Sequence, residues 1–367
     1  MTNSNDSRDT HWFLDRMPPK VVVDYTLRGD PVMRLLGIAA DRAIVDIDNE
    51  LMARPDADHA ALRAALAFAT AAAANLAELG NKASLSDDEK AALDLYILLV
   101  ARPAIFVRDG RVAERPENWR EIARDAELLP DIIAGVGRIE SAARAPTGTG
   151  FLVAERRILT NNHVVCALLH LPVDAWSSSA GTYAEACDQA NEAWRDEQAR
   201  PRFELRGEFG SAASSVVRIR KILGHHLEVD MAILDLDANP AGSELLPLHA
   251  SEPASFRGRR IYSVGYPTQA SWDTPLHVLQ RVFGSDPASL GTKRFSPGVV
   301  TDWDGSNTFG HDASTLAGSS GSAIVDFEDR RVVGLHFMGQ YKTRNYAVPL
   351  FKFRDDPLLV SNEISFA

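Results

Sequence analysis

The hydrophobic pattern changes once along the chain, close to Pro130. Before that point, apolar residues recur mainly at helical spacing, in the segments 30–40, 58–79 and 86–100. Glu89 follows Ser86 by three positions, which is the spacing of a capping box, so we expect the third helix to begin at Ser86. The pattern therefore predicts a mainly helical N-terminal domain over residues 1–130.

Two shorter elements are expected near the end of this region. Residues 104–107 are apolar and face Val112 across Asp109-Gly110, a pair typical of a two-residue hairpin turn. Residues 117–129 place apolar side chains on one side and predict an amphipathic helix. We expect this helix to end at Pro130, because proline has no amide hydrogen to donate within a helix.

After Pro130 the apolar residues form short runs separated by glycine, proline, aspartate and asparagine. The clearest runs are 136–139, 261–264, 299–303 and 331–337. Strands of this length at regular spacing are typical of an all-β barrel or sandwich. Residues 177–198 are the exception, since they are acidic and rich in alanine and predict a helical insertion. The whole chain is therefore expected to be an α+β multidomain protein, with its β structure over residues 131–367.

Composition and charge restrict the class of protein. The chain has 367 residues, of which 45% are hydrophobic, as in soluble globular proteins. A net charge of −11 argues against nucleic acid or an anionic membrane as a partner. No apolar run reaches the length of a membrane span, and the polar first residues do not resemble a secretory signal. Cys166 and Cys187 are the only cysteines, which favours a cytoplasmic location; we expect Cys166 to be buried packing, and whether the two pair stays open.

The segment 317–324 carries the first candidate for chemistry. Ser320 follows Gly318 by two positions, directly precedes Gly321, and is followed by an apolar run. A glycine turn can present a serine hydroxyl beside backbone amides, and acyl transfer needs both a nucleophile and donors for the developing oxyanion. The amides of Gly318 and Ser320 are the expected donors. A solvated glycine-serine loop is the competing interpretation of this segment taken alone.

Two upstream segments supply the partners that a serine nucleophile needs. A hairpin predicted over residues 148–160 is followed by His163, and Asp230 precedes the apolar run 231–234. Taken singly, His163 is equally compatible with a structural histidine, and Asp230 with a turn residue. The competing candidates are His225, His226 and Asp235. These three lack the flanking sequence that His163 and Asp230 have.

Six segments together resemble the trypsin/chymotrypsin-fold serine proteases, and above all the bacterial glutamyl-endopeptidase-like and HtrA-like branches. They are Thr149-Gly150-Phe151, Leu159 to Val164, Asp230 to Leu234, Val264 to Pro267, Gly318 to Ala323 and Val333 to Phe337. The resemblance implies a double β-barrel, and the order histidine, aspartate, serine is that of the chymotrypsin-type triad. It implies that Ser320 is the nucleophile, that His163 transfers its proton, and that Asp230 orients the imidazole.

One position departs from the trypsin-like enzymes that are made as zymogens. Those enzymes carry an acid directly before the nucleophile, and it pairs with a newly cleaved N-terminal amine. Ser319 occupies that position here, and residues 135–138 do not resemble a release site. We therefore expect no activation by a new N-terminus inserted beside Ser320.

The resemblance also implies a specificity pocket lined by Ser314 and Thr315, with His336 on the facing strand and Gly339 at the entrance. No acid stands at its base, which disfavours arginine and lysine substrates. In glutamyl endopeptidases a histidine and a hydroxyl residue bind a substrate carboxylate, and His336 with Thr315 resemble that pair. Acidic and small or apolar preferences both stay open, because His336 also suits a core strand. Residues 337–339 are expected to pair with the substrate backbone.

We expect a serine endopeptidase that cleaves protein or peptide substrates through an acyl-enzyme. No cofactor and no metal are expected, since metal-ligand spacing is absent from the sequence. The alternative is an inactive protease fold that binds peptides or acts as a scaffold; an esterase with the same triad is disfavoured. Residues 1–130 carry no catalytic motif, and we expect them to bind a regulatory protein partner, with a lid or a packing scaffold as alternatives.

Overall fold

The structure is a computed structural model that describes residues 102–269, 282–284, 286–340 and 344–367, with isolated positions between 69 and 89. The chain divides into two compact units, residues 1–103 and residues 104–367. The expected domain boundary at residue 130 lies inside the second unit. The docking role expected of residues 1–130 stays a prediction.

The predicted N-terminal helices lie mostly outside the described residues. The helix predicted over 30–40 lies outside them entirely, and the described positions within 58–79 are helical. The capping box is confirmed, because the amide of Ser86 donates to Glu89 Oε2 at 2.8 Å and the amide of Glu89 donates to Ser86 Oγ at 3.2 Å. Ser86 therefore satisfies one free amide of the helix start, and Glu89 satisfies the amide that precedes it.

The second unit begins with the predicted hairpin. Strand β1 (Ile105–Arg108) pairs with β2 (Arg111–Val112), and Val107 lies opposite Val112. The turn residues Asp109 and Gly110 have φ values of 50° and 72°, as a type I′ turn requires. This prediction is confirmed.

The helix expected over residues 117–129 is broken in the structure. A 3-10 turn (Glu117–Trp119) leads into α1 (Arg120–Arg124), and a second helix, α2 (Leu129–Ala134), follows. The expectation that Pro130 ends a helix is wrong, because Pro130 stands in the first turn of α2. A proline is tolerated there, since the first amides of a helix have no acceptor within it.

The first barrel contains six antiparallel strands that bring the histidine and the aspartate to one end. They are β3 (Val136–Glu140), β4 (Pro146–Ala154), β5 (Arg157–Thr160), β6 (Arg202–Glu204), β7 (Val216–His225) and β8 (Ala232–Leu236). Their order is β3-β4-β5-β8-β7-β6, and pairing of β3 with β6 closes the barrel. The predicted hairpin is the β4–β5 pair, where Phe151 lies opposite Leu159. Its interior holds fully buried apolar side chains such as Leu152 and Leu234.

The second barrel also contains six antiparallel strands and carries the serine. They are β9 (Arg260–Gly265), β10 (Arg294–Asp302), β11 (Phe309–His311), β12 (Ala323–Asp326), β13 (Val332–Gln340) and β14 (Arg344–Pro349). Their order is β11-β14-β13-β12-β9-β10, closed by pairing of β10 with β11. Strand β1 pairs with β10, so Ile105 lies opposite Phe295 on the sheet. The predicted double barrel is confirmed.

Four further helices flank the barrels. They are α3 (Asn162–Leu168), α4 (Ala175–Ser178), α5 (Ala180–Ala193) and α6 (Pro357–Ser361). The insertion predicted near 177–198 is α5 with its flanking turns. Its inner face buries Tyr183 and Cys187 against the first barrel. Within the described part of the chain, no helix is long and apolar enough to cross a membrane.

Candidate active site

His163 and Asp230 meet at the mouth of the first barrel. His163 lies in the first turn of α3, directly after β5, and Asp230 lies in the loop between β7 and β8. The Nδ1 of His163 is 2.5 Å from Asp230 Oδ2, and the backbone amide of His163 donates to Asp230 Oδ1 at 3.1 Å. Because the carboxylate accepts from Nδ1, the ring proton lies there and Nε2 keeps its lone pair. The Asp230 side chain is only 10% exposed, so solvent competes weakly for this contact.

Two asparagines hold the aspartate loop against the start of α3. Asn161 stands at the N-cap but does not cap the helix with its side chain. It donates instead to the carbonyl of Asp230 at 2.7 Å. Asn162 donates to the carbonyls of His226, at 2.9 Å, and Val229, at 3.2 Å. Both asparagines stand in the His163 motif, but sequence reasoning did not assign them a role.

The turn that carries Ser320 needs glycine at two positions. Gly318 has a φ of 94° and Gly321 a φ of 89°, a region that side chains disfavour. A Cβ on Gly318 would lie 2.4 Å from Thr268 Oγ1, and one on Gly321 would lie 1.8 Å from the carbonyl oxygen of Thr149. The sequence pattern is therefore a steric requirement of this turn.

Two amide groups of the same turn have no acceptor among the residues that the structure describes. Within the described residues, the amides of Gly318 and Ser320 make no hydrogen bond to the chain. The carbonyl of Ala317 accepts from the Thr268 amide at 2.8 Å, and that of Ser319 from the Ser322 amide at 2.9 Å. A planar trans peptide points its N–H away from its C=O. The Gly318 N–H therefore points away from Thr268, and the Ser320 N–H points away from the Ser322 amide. Such a pair of donors suits a developing oxyanion.

Strand β4 brings the serine turn beside α3. The amide of Thr149 donates to the carbonyl of Ser320 at 2.8 Å. A Cβ on Gly148 would lie 2.6 Å from Val164 Cγ2 and 3.2 Å from that same carbonyl oxygen. The residue after His163 therefore lies within a few ångströms of the Ser320 backbone. Among the described residues, the Ser320 hydroxyl makes its hydrogen bond to the Phe337 carbonyl at 3.4 Å, not to the imidazole.

His336 lies next to this turn and forms a buried pair with His311. The amide of Gly321 donates to the His336 carbonyl at 2.8 Å. His336 Nδ1 is 3.1 Å from His311 Nε2, and both rings are buried. Burial, followed by the neighbouring His311 and His163, holds the pKa of His336 well below its usual value, and burial lowers the pKa of His311 to about 3. Both imidazoles are therefore neutral near pH 7, and one of them donates the hydrogen bond that joins the two rings.

Two of the other predicted pocket residues, Thr315 and Gly339, meet at Asn345, which the sequence did not single out. The Thr315 hydroxyl donates to Asn345 Oδ1 at 3.0 Å, and Asn345 Nδ2 donates to the Ala313 carbonyl at 2.7 Å. A Cβ on Gly339 would lie 2.2 Å from Asn345 Oδ1. Ser314, which directly precedes Thr315, is buried. The amide of Asn345 therefore occupies the space between Thr315 and Gly339.

The competing candidates have other partners. Asp235 is buried and accepts from Arg220 Nε at 2.7 Å. His225 closes β7 and stacks edge-on against Tyr183, with ring centroids 4.8 Å apart. His226 contacts Asp356, with Nε2 3.2 Å from Oδ2. None of these three residues touches the Ser320 turn through a contact within the described chain.

The two cysteines are free thiols in the structure, and both are buried. Burial raises the pKa of Cys166, and it raises the pKa of Cys187 to about 11. Thiols with such pKa values are protonated near neutral pH and react weakly as nucleophiles.

Comparison with known proteins finds a similar family, a similar sequence and a similar solved structure. A family model described as "Trypsin-like peptidase domain" matches residues 148–335. A probable serine protease of Lysobacter enzymogenes is 27% identical over 306 residues, which cover 72% of this chain and 74% of the relative. Among solved structures, the serine endoprotease from Yersinia pestis matches with a TM-score of 0.41 and 15% identity, over 68% of this chain and 69% of that one.

Proposed function

The chain belongs to the family of trypsin-like peptidase domains, and on that basis we propose that it is a serine endopeptidase that uses Ser320, His163 and Asp230. The hydrogen bond between His163 Nδ1 and Asp230 Oδ2, at 2.5 Å beside the Ser320 turn, carries the proposal. A carboxylate on Nδ1 leaves Nε2 as a base directed away from Asp230. The two unpaired amides of the turn supply the second requirement of acyl transfer.

The proposed reaction begins when Ser320 Oγ turns from the Phe337 carbonyl towards His163 and gives its proton to Nε2. Oγ attacks the substrate carbonyl carbon, and the amides of Gly318 and Ser320 bind the resulting oxyanion. His163 then protonates the leaving amine, which breaks the peptide bond and leaves an acyl group on Ser320. A water molecule, deprotonated by the same imidazole, hydrolyses this ester and restores the serine.

The test of this function uses a fluorophosphonate probe, which reacts only with an activated serine. We expect labelling of the wild-type protein at Ser320 and loss of labelling in Ser320→Ala, together with loss of protein cleavage. Identifying the protein termini released by the wild type but not by Ser320→Ala would name the substrates. A folded wild-type protein that the probe does not label would favour the alternative, an inactive fold that binds peptides.

Substrate binding is proposed to extend strand β13. Past Leu335, which pairs with Ala323, strand β13 keeps β14 on one side, where Gly339 lies opposite Asn345. Its other edge continues past Ser320, as the contact of Phe337 with the serine hydroxyl shows. An extended peptide added at residues 337–339 would place its carbonyl at the turn.

We extend the proposal to substrates with an acidic residue before the cleaved bond. When His311 Nε2 donates a hydrogen bond to its Nδ1, the neutral His336 ring carries its proton on Nε2 and can donate to a carboxylate. The Thr315 hydroxyl becomes a second donor once it turns from Asn345 Oδ1 towards the substrate. A bound carboxylate would raise the pKa of His336 from the low value that burial imposes. Peptides that differ only in Glu, Ala, Leu or Arg at this position decide the question. Equal cleavage after Ala or Leu contradicts an acidic preference and leaves the peptidase assignment standing.

Activation without a new N-terminus is part of the proposal. The Ser319 amide donates to the Leu316 carbonyl at 3.0 Å, and the Ser322 hydroxyl donates to the Ser319 carbonyl at 2.5 Å. These contacts stabilise the turn from within, so an external amine is not needed to shape it. We expect the full chain to react with the probe without prior cleavage near residue 135; a requirement for such cleavage would contradict this expectation.

A further inference from the structure

The loop that carries Asp230 is built around the ring of His226. His226 Nδ1 accepts hydrogen bonds from the amides of Glu228, at 3.0 Å, and Val229, at 3.1 Å. The backbone of His226 also donates to the Met231 carbonyl at 2.8 Å, which closes the loop. The His226 side chain is only 12% exposed, and its ring fills the inside of this loop.

The two hydrogen bonds at Nδ1 determine the tautomer of His226. A ring nitrogen that accepts from two amides carries no proton, so the proton of the neutral ring lies on Nε2. That N–H faces Asp356 Oδ2 at 3.2 Å. Asp356 is held in turn, because it is the N-cap of α6 and its Oδ1 accepts from the Leu358 amide at 2.9 Å. His163 has the opposite tautomer, with its proton on Nδ1 towards Asp230.

The start of α3 also holds this loop, and the His163 amide donates to the Asp230 carboxylate itself at 3.1 Å. The flanking residues Val229 and Met231 are buried, and Asn161 and Asn162 hold the loop carbonyls from outside. The loop interior has no other side-chain acceptor for the amides of Glu228 and Val229 among the described residues. Removing the His226 acceptor therefore leaves the amide of the buried Val229 without its acceptor, directly before Asp230, and leaves the amide of the exposed Glu228 to water.

We propose that His226, oriented by Asp356, is a positioning residue that holds the 226–231 loop so that Asp230 meets His163. This inference rests on the proposed function, because it assigns His226 a role only through Asp230. It connects helix α6, close to the end of the chain, with the proton transfer at Ser320. The expected effect of losing it is a lower kcat with an unchanged KM, since the substrate strand proposed above binds at residues 337–339 and not at this loop.

The test separates the two ring nitrogens. His226→Phe keeps the ring and its packing against Phe353, whose centroid lies 5.3 Å away, but removes both nitrogens. His226→Asn places an amide oxygen at the position of Nδ1 and can still accept from the loop amides. We expect kcat to fall about 10²-fold in the Phe variant, since small misplacements of catalytic groups have effects of this size, and to recover in part in the Asn variant.

The chain offers a matched control, His249, in the segment between β8 and β9, where its amide donates to the Val332 carbonyl at 2.9 Å. His249 Nε2 is also 3.2 Å from an aspartate, Asp329 Oδ2, and its Nδ1 accepts from the Ser251 amide at 3.4 Å. Its side chain is 10% exposed, close to the value for His226, but its loop carries no residue of the proposed site. His249→Phe should therefore lower the unfolding temperature to a similar degree while kcat stays as in the wild type.

A spectroscopic readout completes the experiment. The proton between His163 Nδ1 and Asp230 Oδ2 should give a downfield proton NMR signal, which we expect to shift or vanish in His226→Phe and to remain in His249→Phe. Equal kcat values and equal signals in these two folded variants would overturn the inference. If His226→Phe does not fold, a kcat and a pH profile in Asp356→Ala that equal those of the wild type overturn it, because the proposal makes Asp356 the residue that orients His226. Full activity in Asp230→Asn and Ser320→Ala would instead refute the proposed function.

Discussion

Gly318 links the backbone conformation of the turn directly to the proposed chemistry. We expect Gly318→Val to lower kcat by about 10²–10³-fold, the effect of losing one oxyanion donor. The reason is that a φ of 94° disfavours valine, and its Cβ would lie 2.4 Å from Thr268 Oγ1. Steady-state kinetics with a cleavable peptide, alongside thermal unfolding, measures the effect.

Gly305→Val is the matched control for this change. Gly305 has a φ of 83°, but no atom lies within 4 Å of a Cβ built on it. The control therefore shares the backbone strain without the steric clash and should keep wild-type kcat. Undiminished turnover in a folded Gly318→Val protein would show that the oxyanion donors are elsewhere.

Individual residues differ in how well the sequence reveals them. Ser320 and His163 stand in short motifs whose neighbours, glycines and a strand, are local in the chain. Asn345 and His311 have no such signal, because their contacts to Thr315 and His336 depend on how β11, β13 and β14 align. His226 was considered only as a rival to His163, since its role depends on Asp356, far along the chain.

At the level of elements, one polar side chain of the insertion helix α5, Asn191, binds the backbone of the first barrel. Asn191 Nδ2 donates to the Ile222 carbonyl at 3.1 Å, and its Oδ1 accepts from the Ile222 amide at 2.7 Å. We expect Asn191→Ala to lower the free energy of unfolding by about 1–3 kcal/mol, because it leaves polar groups of β7 unpaired. Urea denaturation and hydrogen exchange at the Ile222 amide measure this.

Asn191→Asp gives the internal comparison for that prediction. The aspartate keeps an acceptor for the Ile222 amide but loses the donor for the carbonyl, so its effect should be smaller than that of alanine. Exchange at Ile222 as slow in the alanine variant as in the wild type would mean that the helix is held by its apolar face alone.

The strands were predicted more successfully than the helix ends. Alternating short apolar runs mark β3, β9 and β13, because every strand of a barrel buries one face. The break between α1 and α2 was missed, since Pro130 is compatible both with the end of one helix and with the first turn of the next. The short helix α3 was also missed, because His163 was expected only to follow a strand.

In the second unit as a whole, one buried lysine joins α2 to the second barrel. Lys293 is 1% exposed, its Nζ donates to the Ile133 carbonyl at 2.8 Å, and burial lowers its pKa from 10.5 to about 7. Between these two values the unfolded chain binds more protons than the folded one, so Lys293 makes stability rise with pH across this range and adds no slope below it.

Lys293→Met should remove this contribution to the pH dependence. Relative to the methionine variant, the wild type should gain roughly 1 kcal/mol of unfolding free energy per pH unit between about pH 7 and 10.5. Denaturation at pH 7, 8 and 9 measures the slope. The exposed Lys221→Met change is the control and should run parallel to the wild type; a parallel curve for Lys293→Met would mean that Lys293 is charged in the fold.

The order of the two barrels along the chain follows from the sequence, but the start of the second unit does not. A change from helical to strand-like spacing placed the boundary at residue 130. Hairpin β1–β2 and helix α1 precede it and α2 spans it. All three nevertheless share the core of the barrels, where Trp119 stacks on Phe327 with ring centroids 5.8 Å apart. The spacing of apolar residues indicates the local backbone geometry of an element, but it does not indicate against which distant part of the chain that element packs.

The pairing of β1 with β10 has a practical consequence for anyone who expresses the catalytic half alone. A recombinant fragment that starts at residue 131 would lack β1 and Trp119. It would expose the edge of β10 at Phe295 and the apolar surface, including Phe327, against which Trp119 packs. Such an edge invites aggregation in the test tube. A fragment that starts at Ala104 keeps the hairpin as a covering flap, and it is the one that should stay soluble and active after purification.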